Sequence, residues 1–147
     1  MFNGVRVFES IVDGKNNKDT VTRNSADFWR AFCHSAGWDF SYERVHSLTD
    51  FEFFLSRKIK EDVIIFSGHG YAGTESENGF HLSNSEVYSG QAEIKIPKKN
   101  HGKIVIFSSC LMGKNEQLAQ QIKLALGADY LFVYKHLMRD RFCFLNE

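Results

Sequence analysis

One proline in 147 residues, three cysteines set far apart and no long apolar run are the first features of this sequence. So little proline argues against disordered linkers between separately folded parts. Cys33, Cys110 and Cys143 are odd in number and widely spaced, which fits neither a disulfide framework nor a paired zinc motif. A reduced, cytoplasmic setting is therefore expected. The longest apolar runs, Val63 to Phe66 and Ile104 to Phe107, are far too short to cross a bilayer, and the amino-terminal residues lack the basic-then-apolar order of a signal peptide. Neither charge sign dominates: eighteen basic and eighteen acidic residues cancel without forming blocks, so no nucleic-acid or membrane partner is expected.

Aromatic residues are abundant by contrast. Fourteen phenylalanines imply a core built on aromatic packing. The length suits one domain over residues 1–147, with roughly two thirds of the unfolded surface buried on folding.

Val5 and Val7 open a β-rich run extending toward Val12, and residues 13–19 read as an exposed polar loop. From Ser25, a candidate N-cap, the apolar residues Phe28, Trp29, Phe32, Cys33 and Ala36 recur at helical spacing until Gly37. That pattern puts Trp29 and Cys33 on a core face. Residues 38–47 alternate loosely as a strand, and Phe51, Phe54, Leu55 and Ile59 share one side of a short helix that starts near Thr49 or Asp50. The run from Val63 to Phe66 has the continuous apolar character of a strand buried on both faces, as has Lys103 to Phe107. Between them lie a loop after His69, a hairpin or single strand over residues 80–88 and an unassigned stretch from Gln91 to Asn100. A helix from about Asn115 carries Leu118, Ala119, Ile122 and Leu126 and stops at Gly127. A strand over residues 129–134 follows, then a closing segment that reads as a helix or an edge strand. This order predicts an α/β domain, a three-layer sandwich with a mostly parallel central sheet.

Both buried-type strands end in small residues around a reactive side chain, His69 in the first and Cys110 in the second. In open α/β sheets ligands bind beyond the carboxyl ends of the strands. If these two strands are parallel neighbours, His69 and Cys110 meet at one edge. A thiolate is the nucleophilic form of cysteine, and a nearby imidazolium or helix amino terminus favours it. Gly68 and Gly70 remove bulk beside His69, and the amides of Gly70 and Cys110 are candidates to hold an oxyanion. The chemistry would be acyl transfer, most simply peptide-bond cleavage. The plainer reading is that Cys110 is a small buried hydrophobe and His69 a turn residue. His34, His46, His101 and His136 read as surface or capping residues, whereas His81, alternating with Phe80 and Leu82, is placed to face the same crevice. Glu75 and Glu77, in the loop after His69, would attract a basic substrate side chain.

Other motifs carry less. The stretch from Gly68 to Gly73 lacks the strand-to-helix setting of a dinucleotide site, and Cys110 to Asn115 lacks the upstream glycine and following Ser or Thr of a phosphate loop. No histidine, cysteine and carboxylate set has tight metal-ligand spacing, so neither metal nor other cofactor is expected.

An apolar strand ending in Ser67, Gly68, His69 and Gly70, followed by another ending in Ser108, Ser109 and Cys110 with Gly113 nearby, resembles the caspase-like cysteine peptidases: caspases, metacaspases and bacterial CHAT domains. Cys110 lies 41 residues after His69, against about fifty in the caspase pattern Q-A-C-[RQG]-G. The resemblance spans Val5 to about Tyr134. It implies a mainly parallel sheet between helices, His69 as the base, Cys110 as the nucleophile, an oxyanion held by the Gly70 and Cys110 amides, and a peptide or protein substrate. Ser108 takes the place of a glutamine or aspartate that meets substrate in that group. Leu111 and Met112 add one residue before Gly113. The stretch after Tyr134 is short for the group, which leaves three readings: a minimal peptidase, a subunit whose cleft is completed by a second copy or a partner chain, or, as the alternative function, a binding or regulatory module without turnover that pairs with another chain through an apolar face drawn from Leu137, Met138, Phe142 and Phe144.

Overall fold

The computed structural model describes residues 2–11, 25–72 and 77–137. Their elements alternate along the chain as β1 (Gly4–Glu9), α1 (Ser25–Ala36), β2 (Asp39–Arg44), α2 (Leu48–Ser56), β3 (Val63–Ser67), β4 (His69–Tyr71), β5 (Gly79–His81), β6 (Val87–Tyr88), β7 (Ile104–Ser108), α3 (Glu116–Leu126) and β8 (Tyr130–Val133). Five strands form one sheet in the order β2-β1-β3-β7-β8, and every pairing in it is parallel. β3 and β7 are adjacent, as their uninterrupted apolar sequences imply. The three short strands β4, β5 and β6 make a separate antiparallel sheet.

Side-chain alternation divides the core into two layers, one on each face of the large sheet. Phe8, Phe66 and Phe107 are in register across β1, β3 and β7. Their rings stack in series, with centroids 5.3 and 4.6 Å apart. Phe51 and Leu55 of α2, Leu118, Ile122 and Leu126 of α3, and Phe80 and Tyr88 of the small sheet close over that row. Burial raises the pKa of the Tyr88 hydroxyl. The opposite face carries Val5, Val7 and Ile65, covered by Trp29 and Cys33 of α1. Helices on both faces of a parallel sheet make three layers. Much of the phenylalanine content is thus spent on one face, in the row directly below the carboxyl ends of the central strands.

Local chemistry fixes the helix ends. Ser47 caps α2, its hydroxyl accepting from the Asp50 amide at 3.1 Å while the Asp50 carboxylate accepts from the His46 amide at 3.1 Å. The start is thus Ser47, ahead of the Thr49 or Asp50 suggested by the apolar pattern. Ile59 lies past the helix, buried in the connection to β3. Asn115 caps α3 through the Leu118 amide, and Gly127 ends that helix in the left-handed conformation. α1 buries Trp29 and Cys33 as expected but leaves Phe28 and Phe32 exposed. Gln91 to Asn100 holds only a 3-10 turn at Lys98–Asn100. The closing stretch from Met138 lies outside the described residues.

A buried ion pair supports the other end of the sheet. Arg6 Nε and Nη2 donate to the two carboxylate oxygens of Glu61 at 3.1 and 3.2 Å, and the Ser41 hydroxyl also donates to that carboxylate. Burial opposes the charge on Glu61, but the bonds from Arg6 and Ser41 outweigh it, so its pKa lies below the ordinary glutamate value. A folded-state pKa below the unfolded one stabilises the fold above about pH 4.3, and that stabilisation is lost as pH falls through the folded value. Glu61→Gln is expected to cost on the order of 3 kcal/mol at neutral pH, because the Arg6 charge is left without its counter-ion. Urea unfolding at pH 7 and pH 3 checks this: the deficit should shrink at the lower pH.

Candidate active site

Parallel pairing of β3 with β7 sets Ser67 opposite Ser108. His69 and Cys110 each lie two residues beyond that pair. The ladder continues one step further, with the Gly68 amide donating to the Ser108 carbonyl at 3.3 Å. The chain then bends into β4, and a close approach confirms that the two strand exits touch. A Cβ on Gly70 would collide with the Cys110 carbonyl oxygen and would lie 2.8 Å from Met112 Cγ. Only glycine lets these backbones pack at this distance. The site is one strand away from the point between β1 and β3 where strand order reverses.

His69, Gly70 and Cys110 are all half-buried, open in part to solvent. Cys33 differs: it is fully buried in the α1 layer, and burial raises its thiol pKa. Cys143 lies outside the described residues. His81 is directly opposite His69 in the β4–β5 pair, so the two side chains share one face of the small sheet. The Tyr71 ring stands 6.1 Å from that of His81, and His81 Nε2 is 2.9 Å from the Glu77 carbonyl oxygen. His81 therefore joins the His69 neighbourhood and ties down the chain at Glu77, which is exposed. Glu75 lies outside the described residues.

Ser108 is buried at 5% exposure. It belongs to a polar row with Ser67 and Glu9, all three in register at the carboxyl ends of their strands. Tyr42 donates to Glu9 Oε1 at 2.9 Å, and Arg44 Nε lies 3.9 Å from the same oxygen. Glu9 carries only a faint sequence signal, an acid interrupting an apolar strand one residue before Ser10. One step along, Ser10, Gly68 and Ser109 end the three strands in small residues. A Cβ on Gly68 would meet the Ser10 carbonyl oxygen at 2.8 Å and the Phe80 ring at 3.0 Å, so the glycine makes room for Phe80 to seal the core beneath the site.

A cleft of about 590 Å³ runs alongside, lined by Ala72, Asn78, Lys114, Asn115, Glu116 and Gln117. It lies between the chain leaving β4 and the amino end of α3, a few residues from both His69 and Cys110. Lys135 pairs with Glu116 at its edge, at 3.3 Å. A second cleft runs along the outer side of α3 by Leu124 and Ala92 and shares Glu116 and Gln117 with the first; neither His69 nor Cys110 lines either cleft. Among the described residues no group of three or more His, Cys, Asp or Glu side chains is arranged to hold a metal ion. Nor is any helix there long and apolar enough to cross a membrane.

The fold and site together define an open α/β protein with a histidine and a cysteine at neighbouring strand exits. No protein-family model matches the sequence, and no curated protein matches it either.

Proposed function

We propose that the protein is a caspase-like cysteine peptidase in which His69 and Cys110 form the catalytic pair. The observation that carries the reading is the close contact of Gly70 with the Cys110 carbonyl, which brings the His69 and Cys110 strand exits together at one end of a parallel sheet. In the proposed reaction the Cys110 proton passes to the His69 imidazole, and sulfur bonds to the peptide carbonyl carbon. The carbonyl oxygen takes the negative charge and is held by the Gly70 and Cys110 amides. Collapse breaks the C–N bond, and the amine leaves with the proton from His69. Water then attacks the thioester and gives a proton to His69. The thioester breaks, and the protonated imidazole returns the proton to sulfur, releasing a carboxylic acid and restoring the pair. The polar cleft between the chain leaving β4 and the start of α3, with Asn78, Lys114 and Gln117 in its wall, is the proposed path of the peptide toward the pair.

Incubation with a degenerate peptide mixture, followed by mass spectrometry of new termini, tests this reading. Cleavage at a limited set of bonds that disappears in Cys110→Ala supports it. Identical digests from both proteins would contradict it.

A second reading, a binding or regulatory module without turnover, is favoured by exposed aromatics. Phe2, Trp38, Phe32 and Phe28 form a chain of ring contacts with centroids 4.4, 5.5 and 6.2 Å apart, and each is at least 36% exposed. Tyr130, Phe132 and Leu137 are also exposed near the β8 edge. A module acting through the aromatic chain loses partner binding in Phe32→Ser and keeps it in Cys110→Ala. A pull-down with the two variants separates this reading from the first.

A further inference from the structure

Leu111, the residue after Cys110, has φ +62°. Left-handed backbone is uncommon outside glycine, is unfavourable for a residue with a Cβ, and persists only where its surroundings enforce it. Here the enforcing surroundings are visible. The chain leaving β8 runs past the turn as a strap: the Leu111 amide donates to the His136 carbonyl at 3.3 Å and the Gly113 amide to the Tyr134 carbonyl at 2.8 Å. The turn closes on itself through the Lys114 amide, which donates to the Leu111 carbonyl at 2.9 Å. Gly113 fits closely under the strap; a Cβ there would lie 2.8 Å from Val133 Cγ2 and 3.3 Å from both Lys135 Cγ and the Tyr134 carbonyl oxygen. Lys135 ties the strap to the first turn of α3 through Glu116. On the far side, the fully buried Met112 anchors the turn in the core against Gly70.

We propose that Leu111 is a positioning residue: its left-handed backbone, held by the strap Tyr134 to His136, reverses the chain so that Met112 enters the core while Cys110 stays at the half-buried edge beside the His69 strand. This rests on the reading of Cys110 as the nucleophile. The left-handed geometry, rather than the leucine side chain, is the functional feature. Glycine and asparagine adopt that geometry readily, whereas a β-branched residue resists it.

The test compares Leu111→Gly, Leu111→Asn and Leu111→Val by the rate at which a peptide chloromethyl ketone alkylates Cys110 in the full chain, with circular dichroism verifying the fold. The expected result is rates within about threefold of the unmodified protein for Gly and Asn, and a loss of about tenfold or more for Val. Rescue by Gly and Asn is a readout that general weakening of the fold would not give. If Leu111→Val does not fold, Gly113→Ala loads the same strap contact from the other side and is expected to slow alkylation similarly. Equal rates in all variants, or equal losses in all three Leu111 variants, would overturn the positioning role while leaving Cys110 as a fast nucleophile. A Cys110 in the unmodified protein that reacts no faster than an ordinary exposed thiol overturns both this inference and the reading beneath it.

Discussion

Replacing His69 with alanine is expected to lower peptide cleavage by about 10²- to 10⁴-fold, the usual contribution of a positioned general base. The imidazole is the proposed acceptor of the thiol proton and the proposed donor to the leaving amine, so its loss affects both halves of the reaction. Folding should survive. His69 is half-buried at the start of β4, outside the stacked phenylalanine row, and its removal leaves Phe66, Phe80 and Phe107 in place. An unfolding free energy from urea titration within about 1 kcal/mol of the unmodified protein, together with the collapse in cleavage, separates lost chemistry from lost structure. Cleavage unchanged in His69→Ala would remove the histidine from the mechanism.

Gly70→Ala should have a comparably large effect by a different route. Its Cβ would overlap the Cys110 carbonyl oxygen, which is backbone, and press on the buried Met112 side chain. Met112 is flexible and can yield in part; the carbonyl can yield only if the Cys110 turn moves. Overpacking of this kind costs about 1–3 kcal/mol, and a displacement of about 1 Å in a reacting group costs about 10²-fold in rate. The expected outcome is a folded but less stable protein that has lost most of its cleavage. Urea unfolding and the peptide digest, run on one preparation, check both parts. Full activity with unchanged stability would mean that the two strand exits can separate without consequence.

The parallel neighbours β3 and β7 were legible in the sequence because continuous apolar runs bounded by turn residues are the signature of strands buried on both faces. The end of α3 was legible at Gly127 for a similar reason, since a helix that stops in the left-handed conformation calls for glycine. Other features depend on contacts that no local pattern carries. β4 has only three residues, His69–Tyr71, too few for alternation to register, and its pairing with β5 is what sets His81 opposite His69. Periodicity placed Phe28 and Phe32 on the same helix as Trp29 and Cys33, yet it does not say how wide a stripe the sheet covers, and these two remain exposed. Glu9 is a charge within an apolar strand, a local exception that makes sense only once Tyr42 and Arg44 on β2 are seen beside it. The left-handed backbone of Leu111 had no sequence signal, because leucine is not a residue that signals it. Of the apolar residues expected to form a partner-binding face, Leu137 is exposed; Met138, Phe142 and Phe144 lie outside the described residues.

The central claim, that His69 and Cys110 act as a pair, is tested most directly by the rate of Cys110 alkylation with a peptide electrophile near neutral pH, in the unmodified protein and in His69→Ala. Cys33 and Cys143 serve as internal controls, and Cys33, buried under α1 with its thiol pKa raised, should be slow. The account predicts that Cys110 reacts at least about tenfold faster than either control and that most of this advantage is lost in His69→Ala. A Cys110 that labels no faster than the other two, or at the same rate with and without His69, would contradict it.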